Sequence, residues 1–350
     1  MGTRLQPVNS GMKTNTTPKV AVVRAENDDL VAALEMARQL VPKLFSASLP
    51  HQVVIKPNLC DIASWESGVT TDPRWLKVLA TALRSIRPDV QIRVVESDAI
   101  SAYKTYRSCD ETFERLGYVA AAREADVELV NLSRCDTIDI RLEGLPVPVR
   151  IPQLFLEEMC FISIANMKVH AYTRMTGVLK NSLGLLTDAD ISSLHPYLSV
   201  LISGMHRLIP PDLCIIDGRV GLEGQGPIIG LPVRMNTIVM GNDALGVDET
   251  SCMLMGIQTK DVAHLRQTAK DLGRMLGRSQ VLGDARPKSF AFSGEEVHEA
   301  VQLKFGSKRF HQRMESFTSR WIDRALRFKR EPLTFTKGAM SKLARGGRAR

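Results

Sequence analysis

Short apolar runs that alternate with helix-like segments predict an α/β fold. Runs rich in β-branched residues predict buried strands at 19–23, 53–55 and 92–95. Asp28 and Asp29 open a predicted helix, and Asp72 with Pro73 opens another, with Asp at the N-cap and Pro in the first turn. Strands that alternate with helices in this way indicate a mostly parallel sheet.

The second half of the chain repeats the pattern less regularly. Short strands are predicted at 127–130, 138–140 and 147–151, and longer buried strands at 160–165, 213–217 and 236–240. Helices are predicted at 176–186, at 192–207 and from Asn242 and Asp243 to Met255. The segment 218–232 is so rich in glycine that we predict a loop without regular structure.

These elements predict two α/β lobes with mostly parallel sheets and a pocket between them. We place a disordered N-terminus at 1–18, an N-terminal lobe at 19–150 and a C-terminal lobe at 151–290. A basic extension with an amphipathic helix follows at 291–350. The composition agrees, because 44% apolar residues in a chain of 350 suffice to bury a core.

Composition also narrows the cellular setting. No apolar run approaches the length of about 20 residues that a membrane helix needs, and the N-terminus lacks the apolar region of a secretory signal. The six cysteines are scattered without a C-x-x-C pair, so we expect reduced thiols, a cytoplasmic protein and no iron–sulfur cluster.

The net charge of +8 is unevenly distributed. Residues 301–350 carry 14 Lys and Arg against 3 Asp and Glu, whereas the first 300 residues have a net charge of −3. A nearly neutral body argues against nucleic-acid binding there, and any contact with a polyanion or a membrane is expected at the C-terminus.

Polar residues stand at four predicted strand ends, where ligands bind in open α/β sheets. The four ends are Lys56-Pro57-Asn58, Glu96-Ser97-Asp98, Lys168-Val169-His170 and Asp217-Gly218-Arg219. We hypothesise that Lys56 and Asn58 orient an anion and that His170, with Asp98 or Asp217, moves protons. Polar capping of the strands is the alternative interpretation of each end.

Three other segments are candidates for ligand contact. Thr70 and Thr71 precede a helix start, where free N–H groups bind anions, although an N-cap with a flexible lead-in explains them equally well. The glycine-rich segment with Glu223, Gly224 and Gly226 permits close backbone approach to a ligand, or forms a structural turn. The densest polar segment, 166–181, adds the candidates Lys168, Lys180 and Asn181.

Several motifs resemble those of the domain of unknown function 362 family over residues 19–258. They are Ile55-Lys56-Pro57-Asn58, Thr70-Thr71-Asp72-Pro73, Asn166-Met167-Lys168-Val169-His170, Thr176 to Gly184, Ile216-Asp217-Gly218, Glu223 to Pro227 and Asn242 to Asp248, in the expected order. Many members of that family carry an added ferredoxin-like cluster domain, for which this chain has no sequence.

A more distant resemblance concerns the spacing of His170, Lys180 and His195, which is similar to the core of the nickel-pincer lactate racemase family. It implies that His170 is an acid/base, that Lys180 holds a nickel-bearing pyridinium nucleotide covalently and that His195 ligates nickel. The chain departs from that family at two catalytic positions. Near Thr70-Thr71 it has threonine where the racemases have an arginine that binds the substrate carboxylate, and Asp98 stands where they have a second catalytic histidine. Lactate racemase activity is therefore not expected.

Two functions are open from the sequence. The first is an enzyme that acts on a small anionic metabolite by acid/base chemistry, with Lys180 binding substrate or a cofactor of unknown identity. The alternative is a non-catalytic ligand-binding or redox-partner module that holds an anion without converting it.

The C-terminal extension contains a predicted amphipathic helix at about 309–330. Its apolar face is formed by Phe310, Met314, Phe317, Trp321, Ala325 and Phe328, and arginines line one flank. Two interpretations are open. The apolar face docks on the protein's own body or on another protein subunit, or it lies on an anionic membrane surface and makes the protein peripheral to the membrane.

The membrane interpretation predicts that the full-length protein co-sediments with anionic liposomes at low salt and is released at high salt. Each basic residue near such a surface contributes about 1 kcal/mol, so the basic tail should suffice for binding. A chain without residues 301–350 should stay in the supernatant. Full-length protein that does not bind anionic liposomes at low salt would contradict the membrane interpretation and support the docked helix.

Overall fold

A sheet of nine strands lies at the centre of the computed structural model, which describes residues 17–46, 48–100, 106–188 and 191–292. In chain order, the strands of this sheet and of two small hairpins are β1 (Lys19–Arg24), β2 (Gln52–Lys56), β3 (Gln91–Glu96), β4 (Ala99–Ile100), β5 (Tyr106–Arg107), β6 (Glu128–Asn131), β7 (Thr137–Ile140), β8 (Val149–Pro152), β9 (Cys160–His170), β10 (Arg174–Thr176), β11 (Leu213–Gln225), β12 (Ile229–Gly241) and β13 (Gln280–Gly283).

The helices cover both faces of the sheet. They are α1 (Leu30–Leu40), α2 (Trp75–Ile86), α3 (Cys109–Arg115), α4 (Tyr118–Ala125), α5 (Val178–Asn181), α6 (Leu198–Leu208), α7 (Ala244–Met255) and α8 (Ala263–Asp271). Short 3₁₀ turns include Trp65–Ser67, Ser182–Leu185 and Ser192–Tyr197.

The order across the sheet is β13-β1-β12-β11-β9-β2-β3-β6, with β10 attached to β9. All neighbours from β11 to β6 are parallel, and β12 runs antiparallel to both of its neighbours. This confirms the predicted α/β class with a mostly parallel sheet. Strands from both predicted lobes lie in the one sheet, since β2 pairs with β9 from Val53 opposite Cys160 onward.

Alternation along β9 assigns its side chains to the two faces, as the pleat of a strand requires. Ile162 and Ile164 belong to the core cluster that contains α1 and α2. Ala165, Met167 and Val169 belong to a second cluster, with α7 and α8. Strands covered on both faces are typical of parallel sheets.

Strand β9 is longer than predicted, because it continues through the polar residues 166–170 instead of ending before them. All eleven of its residues are buried. The polar side chains therefore occupy regular, alternating positions in a central strand, which fixes their direction more firmly than a loop would.

The prediction of an irregular loop at 218–232 is wrong. This segment forms a long hairpin of β11 and β12 in which the glycines make room for neighbouring backbone and rings. A Cβ on Gly226 would lie 2.0 Å from the Val169 carbonyl oxygen, and one on Gly221 would lie 2.6 Å from the Phe290 ring. The glycines reflect close packing rather than an absence of strand structure.

The predicted helix ends also differ. The segment 176–186 contains only one turn of α-helix, α5, followed by a 3₁₀ turn, and the segment 192–207 is divided where Pro196 lies in a 3₁₀ turn. Helix α2 starts at Trp75, so Asp72 is not its N-cap. By contrast, α1 and α7 begin as predicted, with Asp29 and Asp243 accepting backbone N–H groups at their starts.

The amphipathic helix predicted at 309–330, the basic tail and most of the N-terminal segment 1–18 lie outside the described residues. Within the described part of the chain, no helix has both the length and the apolar character needed to cross a bilayer.

We predict that Gly226→Ala lowers the free energy of unfolding by about 2 kcal/mol, because the new methyl group would overlap a backbone oxygen that cannot rotate away. Urea denaturation measures the change. Gly204→Ala in α6 is the matched control, since its Cβ would meet only the flexible end of the Leu142 side chain, at 3.0 Å. Equal effects of the two substitutions would contradict this account of the hairpin.

Candidate functional site

Lys168 lies at the carboxyl end of the sheet, and its side chain is 0% exposed. Its ammonium group donates to the Val69 carbonyl at 2.7 Å, to Asn58 Oδ1 at 2.9 Å and to Cys60 Sγ at 3.0 Å. None of these partners is a carboxylate, and no ion pair to Lys168 is present among the described residues. A buried cation held only by such groups leaves a strong positive potential around it.

Lys180 projects from α5 beside Lys168 and is half-buried. Within the described ranges, its amine makes no hydrogen bond and no ion pair. Burial, followed by the charge of Lys168, lowers the pKa of Lys180 to about 8, and proximity to Cys60 acts in the opposite direction. Lys180 is thus a basic side chain with an unused amine next to a second cation.

His170, the last residue of β9, is 7% exposed. The backbone N–H groups of Tyr172 and Thr173 donate to its Nδ1 at 3.0 and 3.4 Å, so the neutral ring carries its proton on Nε2. Burial, with smaller effects of Lys180 and Lys168, lowers the pKa of His170 well below its ordinary value. The ring is therefore a neutral hydrogen-bond donor at physiological pH.

The Tyr172 ring contacts both His170 and His195, which places the two histidines near each other. The Tyr172 ring centroid is 6.1 Å from that of His170 and 5.4 Å from that of His195. His195 Nδ1 lies 3.2 Å from the Ile191 carbonyl oxygen, so one ring nitrogen faces the protein. The three residues of the racemase-like spacing are therefore neighbours in the fold.

The side chains present do not form a metal centre by themselves. In the described part of the chain, no group of three or more His, Cys, Asp or Glu side chains could hold a metal ion. His195 would be a single protein ligand, which is fewer than protein metal sites ordinarily supply. We derive no chemical step through nickel for this reason.

Helix α5, which carries Lys180, is held at its start by a carboxylate from α7. Asp248 Oδ1 accepts the Val178 N–H at 2.7 Å, and Oδ2 accepts the Leu179 N–H at 3.0 Å. Burial raises the pKa of Asp248 to about 7, although these two hydrogen bonds lower it. A Cβ on Gly177 would lie 2.3 Å from Asp248 Oδ1, so the carboxylate fits only beside a glycine.

Asn181 fixes the other end of α5. Its side-chain amide donates to Ser163 Oγ at 3.0 Å, to the Lys56 carbonyl at 3.2 Å and to the Ile164 carbonyl at 3.3 Å. Asn58 reaches the same group, donating from Nδ2 to Asn181 Oδ1 at 3.4 Å. Both asparagines were predicted to bind an anion, but here they join strands to α5 and to Lys168.

Lys56 has a structural partner rather than a free charge. Its ammonium group, on a side chain that is 1% exposed, donates to Glu96 Oε2 at 2.8 Å and to the Pro57 carbonyl at 3.0 Å. A Cβ on Gly184 would lie 2.5 Å from the Lys56 ammonium nitrogen, so this ion pair also depends on a glycine. The predicted anion contact through Lys56 is revised, because Glu96 neutralises its charge.

Asp217 also belongs to a buried ion cluster. Arg219 donates to Asp217 Oδ2 at 2.8 Å and to Asp72 Oδ2 at 2.7 Å, and the Trp75 indole N–H donates to Asp217 Oδ2 at 2.8 Å. Burial alone would raise the pKa of Asp72, but hydrogen bonds from Arg74 and Arg219 bring it below its usual value. Both carboxylates are committed to Arg219, so the predicted proton transfer by Asp217 is revised to a structural role.

Asp98 lies at the end of β3, and no described contact joins it to His170. Its Oδ1 accepts the Cys109 N–H at 2.8 Å and the Asn131 amide at 3.1 Å, while the Tyr106 hydroxyl donates to Oδ2 at 2.6 Å. Burial raises the pKa of Asp98, but these hydrogen bonds outweigh it and lower the pKa overall. Asp98 thus orders the start of α3.

The remaining predicted contacts are internal. Thr70 Oγ1 donates to the Ala63 carbonyl, and Thr71 Oγ1 donates to Asn166 Oδ1 at 3.0 Å. Glu223 Oε2 accepts the Ala291 N–H at 2.8 Å, and the Gly224 N–H donates to the Ala291 carbonyl at 2.8 Å. The Gly226 carbonyl accepts the Ala171 N–H at 2.9 Å. These groups are thus engaged in hydrogen bonds within the protein.

Sequence reasoning missed Cys60, Glu96 and Asp248 as members of this network. Cys60 stands two residues after Asn58, a spacing that places both near one loop, and it could have been included on that ground. Asp248 and Glu249 form an acidic pair inside a helix whose residues are almost all buried. Such a pair is a recognisable signal for a carboxylate with a structural or functional partner.

Comparison with known proteins identifies one family and one distant structural likeness. The family model described as Domain of unknown function (DUF362) matches residues 53–253, more than half of the chain. Among solved structures, the chain is similar to the lactate racemase apoprotein from Thermoanaerobacterium thermosaccharolyticum, with 12% identity and a TM-score of 0.35. That alignment covers 49% of this chain and 42% of the racemase chain. No curated protein matched the chain.

We predict that Lys180→Met makes the protein more stable at pH 7. In the folded chain the amine releases its proton near pH 8, against 10.5 for an ordinary lysine, so burying the charged form is unfavourable below pH 8. The difference in pKa sets an upper bound of about 3 kcal/mol on the gain. Urea denaturation at pH 7 measures it, with exposed Lys270→Met as the control.

The sign of the pH dependence follows from the same difference. From pH 8 to 10.5 the unfolded chain holds the Lys180 proton that the folded chain has lost, so wild-type stability rises across this interval. The advantage of Lys180→Met over wild type should shrink there. A loss of stability in Lys180→Met at pH 7 would show that the amine has a structural partner.

Proposed function

The chain belongs to the DUF362 family, and from the geometry around Lys168 we propose that it is an enzyme that binds a small anionic metabolite and transfers a proton on it. One observation carries this proposal. Two lysine ammonium groups and a neutral imidazole lie together, and no carboxylate partners either lysine among the described residues.

The uncompensated charge favours an anionic ligand. All three Lys168 N–H groups have protein acceptors, so Lys168 acts on a ligand through its charge rather than through direct contact. Lys180 has donors to spare and supplies the direct contact. At the effective dielectric of a partly buried site, opposite charges 4 Å apart attract by about 4 kcal/mol, which suffices for recognition of a small anion.

The protonation states suit proton transfer at neutral pH. With a pKa of about 8, Lys180 is unprotonated in about one molecule in ten at pH 7, so it can act as a general base. His170 Nε2–H can donate to an oxygen that gains negative charge as a neighbouring carbon loses its proton. We assign the base role to Lys180 and the donor role to His170, because His170 Nδ1 is already occupied.

This assignment gives a class of reaction. Removing a proton from a carbon next to a carboxylate or carbonyl group is the step that isomerases and racemases share. Asp98 and Asp217 have no part in it. The nickel nucleotide that the racemase-like spacing implies has an independent test, which is the metal content and visible spectrum of protein purified from its native host.

We expect the full-length protein in D2O to exchange a carbon-bound proton of at least one small anion. The panel consists of 2-hydroxy acids, 2-amino acids, 2-oxo acids and phosphate monoesters, and proton NMR follows the loss of each C–H signal. Lys180→Met should abolish exchange, and His170→Phe should slow it by at least about 100-fold, the usual contribution of such a group. Lys270→Met, at an exposed lysine, should exchange like wild type.

Calorimetric titration with the same anions separates the two functions that the sequence left open. Binding that depends on Lys180, without proton exchange on any anion, would support the non-catalytic ligand-binding module. Absence of both binding and exchange would overturn the proposed anion site altogether.

A further inference from the structure

We propose that Lys180 forms an imine with the carbonyl carbon of a small anion that carries both a carbonyl and an acid group, as 2-oxo acids do. This inference rests on the proposed anion site and names its substrate class. It starts from an amine without a hydrogen bond or ion pair among the described residues, on a backbone that is held at both ends.

The backbone that carries Lys180 is fixed at both ends of a four-residue helix. Asp248 accepts the N–H groups of Val178 and Leu179, and the Asn181 amide is bonded to strands β2 and β9. A helix this short has no stability of its own, so these contacts fix the backbone from which the Lys180 side chain extends. A nucleophile that must meet a carbonyl carbon gains rate from such placement.

The surroundings of Lys180 favour its neutral form. Lys168, which is fully buried, places a second positive charge beside it, and no described carboxylate offsets that charge. A lysine next to another cation and partly removed from water is the usual setting of imine-forming lysines. His170 Nε2–H, the donor that the backbone leaves free, can hydrogen-bond the carbonyl oxygen and polarise it.

The step balances without any further reactant. The neutral Lys180 nitrogen attacks the carbonyl carbon, a C–N bond forms, and the proton that nitrogen loses passes to the former carbonyl oxygen. A second proton transfer to that oxygen, from the nitrogen or from water, lets it leave as water, and a C=N bond replaces C=O. The protonated imine withdraws electrons from the adjacent C–H bond and makes its proton more acidic. Because the Lys180 nitrogen is bonded to carbon in this adduct, water and not Lys180 accepts that proton from a 2-oxo acid.

Reductive trapping tests the proposal on the full-length protein. Pyruvate and sodium cyanoborohydride are added at pH 7, and peptide mass spectrometry measures the adduct on each lysine. We expect modification of Lys180 at least about tenfold above that of exposed Lys270, because far more of the Lys180 amine is unprotonated at this pH. Lactate, which has no carbonyl group, should give no adduct.

Competition shows whether the anion matters. Inorganic phosphate should reduce the pyruvate adduct on Lys180 but not on Lys270, and acetone, a carbonyl compound without charge, should modify Lys180 less than pyruvate does. Lys168→Met should lower trapping for the same reason. If this variant fails to fold, the phosphate and acetone comparisons on the wild-type chain still show whether the negative charge of the ligand promotes the adduct on Lys180.

Equal modification of Lys180 and Lys270, or no effect of phosphate on the Lys180 adduct, would overturn the proposal. Proton exchange in D2O that persists without any Lys180 adduct would overturn the imine alone and leave the proposed enzyme standing. Absence of both the Lys180 adduct and proton exchange would overturn the proposed enzyme as well, and the calorimetric titration then decides whether the anion site stands.

Discussion

The Lys168 ammonium group is the contact on which the carboxyl end of the sheet depends. It is fully buried, and its bonds to Asn58 and to the Val69 carbonyl join the two ends of the loop between β2 and α2. A buried charge with neutral acceptors is tolerated only when every N–H is satisfied, and here all three are. The same arrangement that closes the loop thereby leaves a positive charge without a carboxylate partner among the described residues, and the proposed anion site rests on that charge.

Charge compensation distinguishes the structural residues of this network from those of the proposed site. Lys56 is matched by Glu96, and Arg219 and Arg74 are matched by Asp72 and Asp217, so these groups are locally neutral and hold strands and loops together. Lys168 and Lys180 have no such match among the described residues. Sequence alone does not distinguish Lys56 from Lys168, because both follow apolar residues of a strand and have polar neighbours.

The sequence predicted the α/β class and most strands, because apolar periodicity is a local signal. The roles predicted for His170 and Lys180 stay predictions. The predictions failed where packing between residues that are distant in the sequence determines the structure. The glycines of β11 and β12 resembled a loop until Val169 and Phe290 were seen to occupy the space of their missing side chains. Asp98 and Asp217 resembled acid/base groups, but their hydrogen-bond partners come from elements up to 142 residues away, which spacing does not reveal.

The position of the Lys180 backbone depends in turn on a residue of another helix. Helix α5 has only four residues, too few for a stable helix in water, so Asp248 on α7 supplies the acceptors that its first N–H groups lack. Gly177 is the residue that lets the carboxylate approach. The burial that holds Asp248 against α5 also raises its pKa to about 7, so the charge that anchors the helix is itself close to protonation. The backbone that carries the amine is therefore held from two sides. Asp248 holds it from α7, a helix that packs in the same core cluster as α5, and Asn181 holds it through its bonds to β2 and β9.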